Sequence, residues 1–339
     1  MSITLKDIAE RAQVSQATVS IAMGSTGRIS DKTRKRVLSI ADELGYRPNL
    51  LVQGIQKGQT MTVGVLMAFN DHVFDVRLFN GIHETLSSAN YVPIVLRPTP
   101  VLPVLQQIHS LIDRRVDGIL IRPAKEAIWE RHLNEALDRN LPVVSMDIET
   151  RADTPRVDFV GTDNVVGARA AADALLEAGH RRVAVVTTGV ETDAMHDRAE
   201  AFASRIEEHG DATVFCVNQP WVDNTKGEDA ALEILNKKPR PTAVFATMDH
   251  LAMGVYRVAH ELGLRIPEDL SVAGFGANVI ADELTPPLSG VRQKPEQTGA
   301  RAAELLLQRI HEGDEHGKRQ RIMIEPEWVN LKSIKTIGS

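Results

Sequence analysis

The sequence predicts an α/β protein in two parts: a small all-α head at the N-terminus and a larger two-lobed body built on parallel sheets. Three observations predict it. Residues 4–45 carry three apolar stripes at helical spacing, each preceded by a capping residue. From Met61 onward, short continuous apolar runs alternate with amphipathic helical stretches, the pattern of parallel strands covered on both faces. Those runs are too many for one small sheet, and a chain of 339 residues exceeds a typical single domain.

In the head, Leu5, Ile8, Ala9 and Ala12 fall at i, i+3, i+4 and i+7, the core stripe of a first helix. Thr4 caps it, and Asp7 sits in the first turn, where a carboxylate suits the helix dipole. Ser15 is placed to cap a second helix, on which Val19, Ala22 and Met23 share a face. Ala17 and Ile21 lie opposite, and Gln16 stands at the start. After a loop over 24–27, Ser30 caps a third helix whose stripe is Val37, Ile40, Ala41 and Leu44, and Gly45 stops it. The first two helices and their tight turn form a helix-turn-helix. The same spacing also serves small helical caps and oligomerisation modules.

Charge favours a nucleic-acid role. Residues 1–60 hold nine Lys and Arg against five Asp and Glu, while the whole chain carries −6, which leaves the remainder at −10. A basic head on an acidic body is what a unit that meets DNA phosphates needs. The outer face of the second helix, small and uncharged, suits entry into a major groove.

Pro48 ends the third helix, and residues 50–57 are too few for an independently stable helix, so propensity alone reads 50–60 as a linker. The body then predicts strands over 61–69, 92–97, 117–123, 142–147, 157–161, 181–188, 212–217, 242–248, 270–276, 289–292 and 321–326. Helices are predicted between them over 76–89, 104–114, 126–140, 164–178, 193–209, 225–235, 250–262 and 296–311. In open parallel sheets, ligands bind beyond the carboxyl ends of the strands. That rule points to 68–72, Arg97, Arg122, Asp147, 187–198, Trp221 and Met248.

Several classes are disfavoured. The single cysteine, Cys216, cannot form an intramolecular disulfide and fits a reducing compartment. The start MSITLKDIAE has no apolar signal core and no run is long enough to span a bilayer, so a cytoplasmic protein without membrane partners is expected. No Gly-x-Ser-x-Gly elbow and no Walker lysine occur, and GFGAN lacks the third glycine of a dinucleotide site. The histidines lack metal-ligand spacing. No catalytic residue, metal or cofactor is expected.

The strings TLKDIAERAQVSQATVS and TRKRVLSIADELGYRPN resemble the head of the lactose-repressor (LacI/GalR) family of bacterial transcription factors. VDFVGTDNVVGARAAADALLEAGHRRVAVV, DHLAMGVYRVAHELGLRIPEDLSVAGFG and PPLSGVRQKPEQTGARAAELLLQRIHEG extend that resemblance over nearly the whole chain. It implies a ligand-responsive, sequence-specific DNA-binding regulator, a repressor of a carbohydrate-related catabolic operon, acting as a homodimer on double-stranded operator DNA. The alternative for the body alone is a periplasmic-type solute receptor with no DNA role. The resemblance implies a helix-turn-helix domain over 1–49, a hinge helix over 50–60 and a periplasmic-binding-protein-like effector and dimerisation domain over 61–339. Three crossovers would join its lobes, the first over about 61–160 and 291–319, the second over about 161–290 and 320–339.

The resemblance also assigns residues. Thr4, Ser15, Thr18, Ser20 and Arg28 match positions that hold the phosphate backbone; Gln16, Ala17 and Ile21 match base-reading positions. Gln16 can pair two-pronged with adenine, whereas Ala17 and Ile21 offer apolar contact to a thymine methyl, or Ile21 packs against the neighbouring loop. Asn49, Val52 and Ile55 belong to the segment that enters the minor groove; the family usually has leucine in place of Ile55. In the effector cleft, Asp147, Arg198 and Trp221 match effector contacts, Met248 stands where a polar residue is usual, and Gly276 where an aspartate is. Losing that acid while presenting Arg97 and Arg122 fits a sugar acid or sugar phosphate. A larger neutral sugar using the space at Gly276 fits as well, with the two arginines serving as ion-pair partners.

Overall fold

The computed structural model describes residues 3–24, 27–46, 59–67, 73–97, 103–122, 129–149, 157–188, 193–219, 227–276, 279–312 and 318–338. The chain divides into two compact units, 1–60 and 61–339.

The head holds α1 (Leu5–Ala12), α2 (Gln16–Met23) and α3 (Asp31–Glu43). Local chemistry starts each helix. Thr4 and Asp7 form a capping box, the Thr4 N–H donating to Asp7 Oδ2 at 2.7 Å and the Asp7 N–H to Thr4 Oγ1 at 3.4 Å. Ser15 accepts from the Thr18 N–H and Ser30 from the Thr33 N–H, both at 3.1 Å. After α3, Gly45 at φ 66° lets its N–H reach Asp42 O at 2.9 Å while the Tyr46 N–H reaches Ala41 O at 2.9 Å, a Schellman stop. The three stripes meet in one core of Ile8, Ala9, Ala12, Val19, Ala22, Val37 and Ala41.

The body begins with β1 (Thr62–Met67), α4 (Val73–Ser88), β2 (Val92–Leu96) and α5 (Val104–Asp113). It continues through β3 (Gly118–Arg122), α6 (Trp129–Asp138), β4 (Val143–Met146) and β5 (Asp158–Thr162). The second lobe follows with α7 (Asn164–Glu177), β6 (Arg182–Thr188), α8 (Asp193–Glu208), β7 (Thr213–Gln219) and α9 (Glu228–Leu235). It is extended by β8 (Ala243–Ala246), α10 (Asp249–Glu261), β9 (Ser271–Gly276), α11 (Val279–Glu283) and β10 (Ser289–Arg292). The chain returns to the first lobe for α12 (Pro295–Glu312) and β11 (Arg321–Ile324), then adds β12 (Glu327–Val329) to the second.

Each lobe has a six-stranded sheet, ordered β11-β5-β4-β3-β1-β2 in the first and β12-β10-β9-β8-β6-β7 in the second. Among the described pairs all are parallel except β10 with β12. Strands such as β3, β4 and β8 are apolar on both faces because helices cover both, giving two core layers per lobe. The chain crosses between lobes at 162–164, 292–295 and 324–327.

The last crossing corrects the expected lobe boundary, which put 320–339 wholly in the second lobe. β11 pairs with β5, Arg321 opposite Phe159 and Ile324 opposite Thr162, because Ile322 and Ile324 pack on the first-lobe core. β5 runs to Thr162 and β10 to Arg292, so the first two crossings fall within two residues of the approximate bounds expected. The five-residue α11 and three-residue β12 are too short to leave a readable period.

α4 and α12 cross with their backbones in contact. A Cβ on Gly81 would lie 2.0 Å from Glu296 O, and one on Gly299 2.0 Å from Leu78 O, so only glycine fits at either place. Arg77 on α4 pairs with Glu296 beside the crossing.

Candidate functional site

On the head, α2 presents Gln16, Ala17 and Ser20 exposed, with Thr18 and Ile21 half-buried. Thr4, Ser15 and Arg28 are exposed as well. The hydroxyls of Thr4 and Ser15 also start helices, and Ser15 Oγ lies 2.9 Å from Thr18 Oγ1, so the groups expected at phosphates fix helix ends too. Ile21 touches the loop after α2: a Cβ at Gly27, whose φ is 119°, would lie 2.6 Å from Ile21 Cγ2. Both uses considered for Ile21 are therefore geometrically open.

Sequence reasoning counted Arg34 only as positive charge. The structure turns it back onto the carboxyl end of α2, where Nη1 donates to the carbonyls of Ile21, Ala22 and Gly24 at 3.3, 2.9 and 3.1 Å. A cation there complements the helix dipole and satisfies carbonyls the helix cannot. Asn49, Val52 and Ile55 lie outside the described residues.

In the body, Arg122 ends β3 and Asp147 follows β4, the adjacent strand. Arg122 Nε and Nη2 both donate to Asp147 Oδ2, at 3.0 and 2.8 Å, while Nη1 pairs with Asp75 Oδ1 at 3.1 Å. Both carboxylates are buried, Asp75 at 1% exposure and Asp147 at 9%. Burial works against the Arg122 charge, but Asp147 and Asp75 outweigh it and hold the guanidinium above its ordinary pKa. Asp147 takes a left-handed φ of 61°, a conformation that costs free energy in a non-glycine residue.

Arg198 reaches the same region from α8. It is 4% exposed, its Nε donates to Asn164 Oδ1 at 2.7 Å, and Nη1 donates to Thr247 O at 3.0 Å. Its guanidinium lies 3.9 Å from the centre of the Phe275 ring. Burial pushes its pKa down to about 10, and the charges of Asp147 and Asp249 partly offset that. Asp249, at the start of α10, is 6% exposed, and its Oδ1 has no hydrogen-bond partner among the described residues. Burial pushes this carboxyl up to about 7, against the pull of Arg198 and Arg292. Gln293 Nε2 ties the lobes at the second crossover by donating to Thr162 Oγ1 at 3.0 Å.

Beside these groups opens a pocket lined by Asp147, Glu149, Phe159, Asp163, Ala194, Asp197 and Arg321 among others. Glu149 is engaged by Arg319 at 2.6 Å and by Arg321 at 2.9 Å. The structure thus brings Asp147, Arg122 and Arg198 together, and leaves Arg97 apart. Arg97 is exposed after β2, an edge strand that β1 separates from β3. Met248 is half-buried, contributes no side-chain cap to α10 and packs on the second-lobe core; Gly276 ends β9 half-buried. Trp221 and residues 68–72 lie outside the described residues. Among the described residues no group of three or more His, Cys, Asp and Glu is arranged to hold a metal ion, and no helix is long and apolar enough to cross a membrane.

Residues 4–49 match the description "Bacterial regulatory proteins, lacI family", and residues 172–334 match "Periplasmic binding protein-like domain". Over 343 residues, 98% of this chain and 99% of the relative, the protein is 30% identical to the ribose operon repressor of Haemophilus influenzae. The chain belongs to the lacI family. It is also 31% identical to the HTH-type transcriptional repressor PurR of Proteus mirabilis, over 98% of this chain and 96% of the relative. Its fold is similar to that of the lac repressor dimer bound to operator and the anti-inducer ONPF, with a TM-score of 0.83, 23% identity and coverage of 99% and 100% of the two chains. A lacI-family member with these relatives is a DNA-binding transcriptional regulator, not an enzyme. The match over 4–49 sets aside the receptor without a DNA role.

Proposed function

We propose that this lacI-family protein is a cytoplasmic homodimer that represses a carbohydrate-related catabolic operon and releases or grips its operator according to an effector bound between the lobes. The observation that carries the reading is the capped α2 with an exposed Gln16, Ala17 and Ser20 face on a basic head, joined to a body whose cleft brings charged groups of both lobes together. Gln16, Ala17 and Ile21 read bases, while Thr4, Ser15, Thr18, Ser20 and Arg28 hold phosphates. Asn49, Val52 and Ile55 serve the hinge, and Asp147, Arg198, Trp221, Met248 and Gly276 face the effector. The exposed Val73 and Val76 on α4 support pairing of first lobes, since exposed apolar side chains on one helix turn favour a partner surface.

A neutral, hydroxyl-bearing effector is favoured over an anionic one. Arg122 is already shared between Asp75 and Asp147, and Arg97 stands two strands away. A relative that represses a ribose operon supports the same class. Selecting DNA from a random pool, with and without neutral sugars, sugar acids and sugar phosphates, tests the reading. A near-palindromic site whose recovery responds to a neutral sugar is expected, and Ile21→Arg should move the selected half-site toward guanine. No sequence selection under any condition would overturn the reading.

A further inference from the structure

Arg122 does more than balance charge, because its two carboxylates belong to different parts of the first lobe. Asp147 follows β4 and lines the pocket, whereas Asp75 lies in the first turn of α4. Both N–H groups given to Asp147 converge on Oδ2, and the same residue lines the pocket. A ligand that hydrogen-bonds Asp147 competes for the same carboxylate that Arg122 holds. Any rotation of that carboxylate changes what the guanidinium offers Asp75, and the Phe74 ring, 5.4 Å away, rides on the same guanidinium.

α4 is built to pass such a change on. At Gly81 and Gly299 it is pinned against α12 with no room for a side chain, so its middle is fixed. Its first turn is held at Asp75 and exposes Val73 and Val76, at 39% and 55%. α12 starts at Pro295, three residues after β10 of the second lobe ends at Arg292. We propose that Arg122 is the positioning residue that couples occupancy of the pocket at Asp147 to the first turn of α4, and through it to the Val73–Val76 surface. This rests on the reading of the body as an effector-binding unit.

The test compares the full-length protein with Asp147→Asn, Asp75→Asn, Arg122→Gln and Arg122→Lys. Amide hydrogen exchange is read at residues 77–80 of α4 and, as a control, at β6 in the second lobe. Asp147→Asn should speed exchange in α4 about tenfold and leave β6 unchanged, although no hydrogen bond joins Asp147 to α4 among the described residues. Affinity for DNA selected with the wild-type protein should shift about fivefold or more in Asp147→Asn and Arg122→Gln, with partial recovery in Arg122→Lys. Wild-type exchange at 77–80 in Asp147→Asn would overturn the proposal. So would altered exchange with unaltered DNA affinity. Should Arg122→Gln fail to fold, Asp147→Asn and Arg122→Lys decide the matter. Failure of the wild-type protein to select any DNA would instead overturn the regulator reading, and the exchange data would still report whether pocket and helix are mechanically joined.

Discussion

The first-lobe wall of the cleft meets its central cation with anions from two directions: Arg122 is bracketed by Asp75 and Asp147 at hydrogen-bond distance. The second-lobe wall gives its cation neutral hydrogen-bond partners instead. Arg198 spends its N–H groups on an amide and a carbonyl, rests on an aromatic face, and shares its neighbourhood with Asp249, whose Oδ1 meets no partner among the described residues. A buried ion pair resists the removal of either member, whereas a lone buried carboxyl responds to protons and ligands. The contrast teaches that a ligand meets an ion-paired carboxylate on one wall and a proton-binding carboxyl on the other.

The largest effect that breaks the contrast is Arg122→Met. It strands two buried carboxylates and should cost about 3–5 kcal/mol in urea unfolding. A cost within experimental error would mean that the first wall is not electrostatically closed.

Asp249→Asn probes the second wall. In the unfolded chain this carboxyl ionises near 3.8, and in the folded protein it stays protonated to about 7. The folded state therefore binds the proton more tightly. The group's contribution to stability is whole below the unfolded value and is lost as pH rises through about 7. Wild-type stability to urea should fall relative to Asp249→Asn between acid and neutral pH, by on the order of a few kcal/mol. Parallel curves for the two proteins would show that Asp249 is not held neutral.

Arg198→Lys keeps a positive charge but gives up the Nε bond to Asn164 and the planar contact with Phe275, and should lower stability by about 1–3 kcal/mol. If it matches wild type, charge alone matters on that wall. The smallest effect lies outside both walls. Arg34→Met should cost about 1 kcal/mol, seen as faster amide exchange in α2 with the body's exchange unchanged. Any change in the body would mean that the head is not the separate reference it is taken to be.

The parts of the fold governed by neighbours in sequence were readable from sequence. Thr4, Ser15 and Ser30 announce their helices because a cap acts within three residues, and Gly45 announces a stop for the same reason. Buried strands such as β3 and β8 were legible as continuous apolar runs. The return of β11 to the first sheet was not, since pairing between residues near 160 and 322 leaves no local mark. The site follows the same division. Strand-end position and family resemblance pointed to Asp147 and Arg198, but nothing pointed to the groups they touch: Asp75 stands just before the helix predicted over 76–89, and Asn164 reads as an ordinary helix start. Arg34 was counted as surface charge because nothing in the sequence reveals that a guanidinium folds back twelve residues to reach Ala22 O.

The triple passage of the chain between lobes has a consequence for synthesis. Neither lobe is a continuous stretch, so neither can close its sheet when its first strands leave the ribosome. β5 waits for β11, more than 150 residues later. The second lobe waits longer: Ser333 Oγ donates to Val272 O at 2.6 Å, and the Ile337 N–H to Ala178 O at 2.8 Å. Only the head, whose three helices end by residue 46, can assemble as it emerges. A nascent chain would thus carry a finished nucleic-acid-binding module well before it owned the apparatus that restrains it, and stalled or truncated translation products would be expected to include unregulated heads.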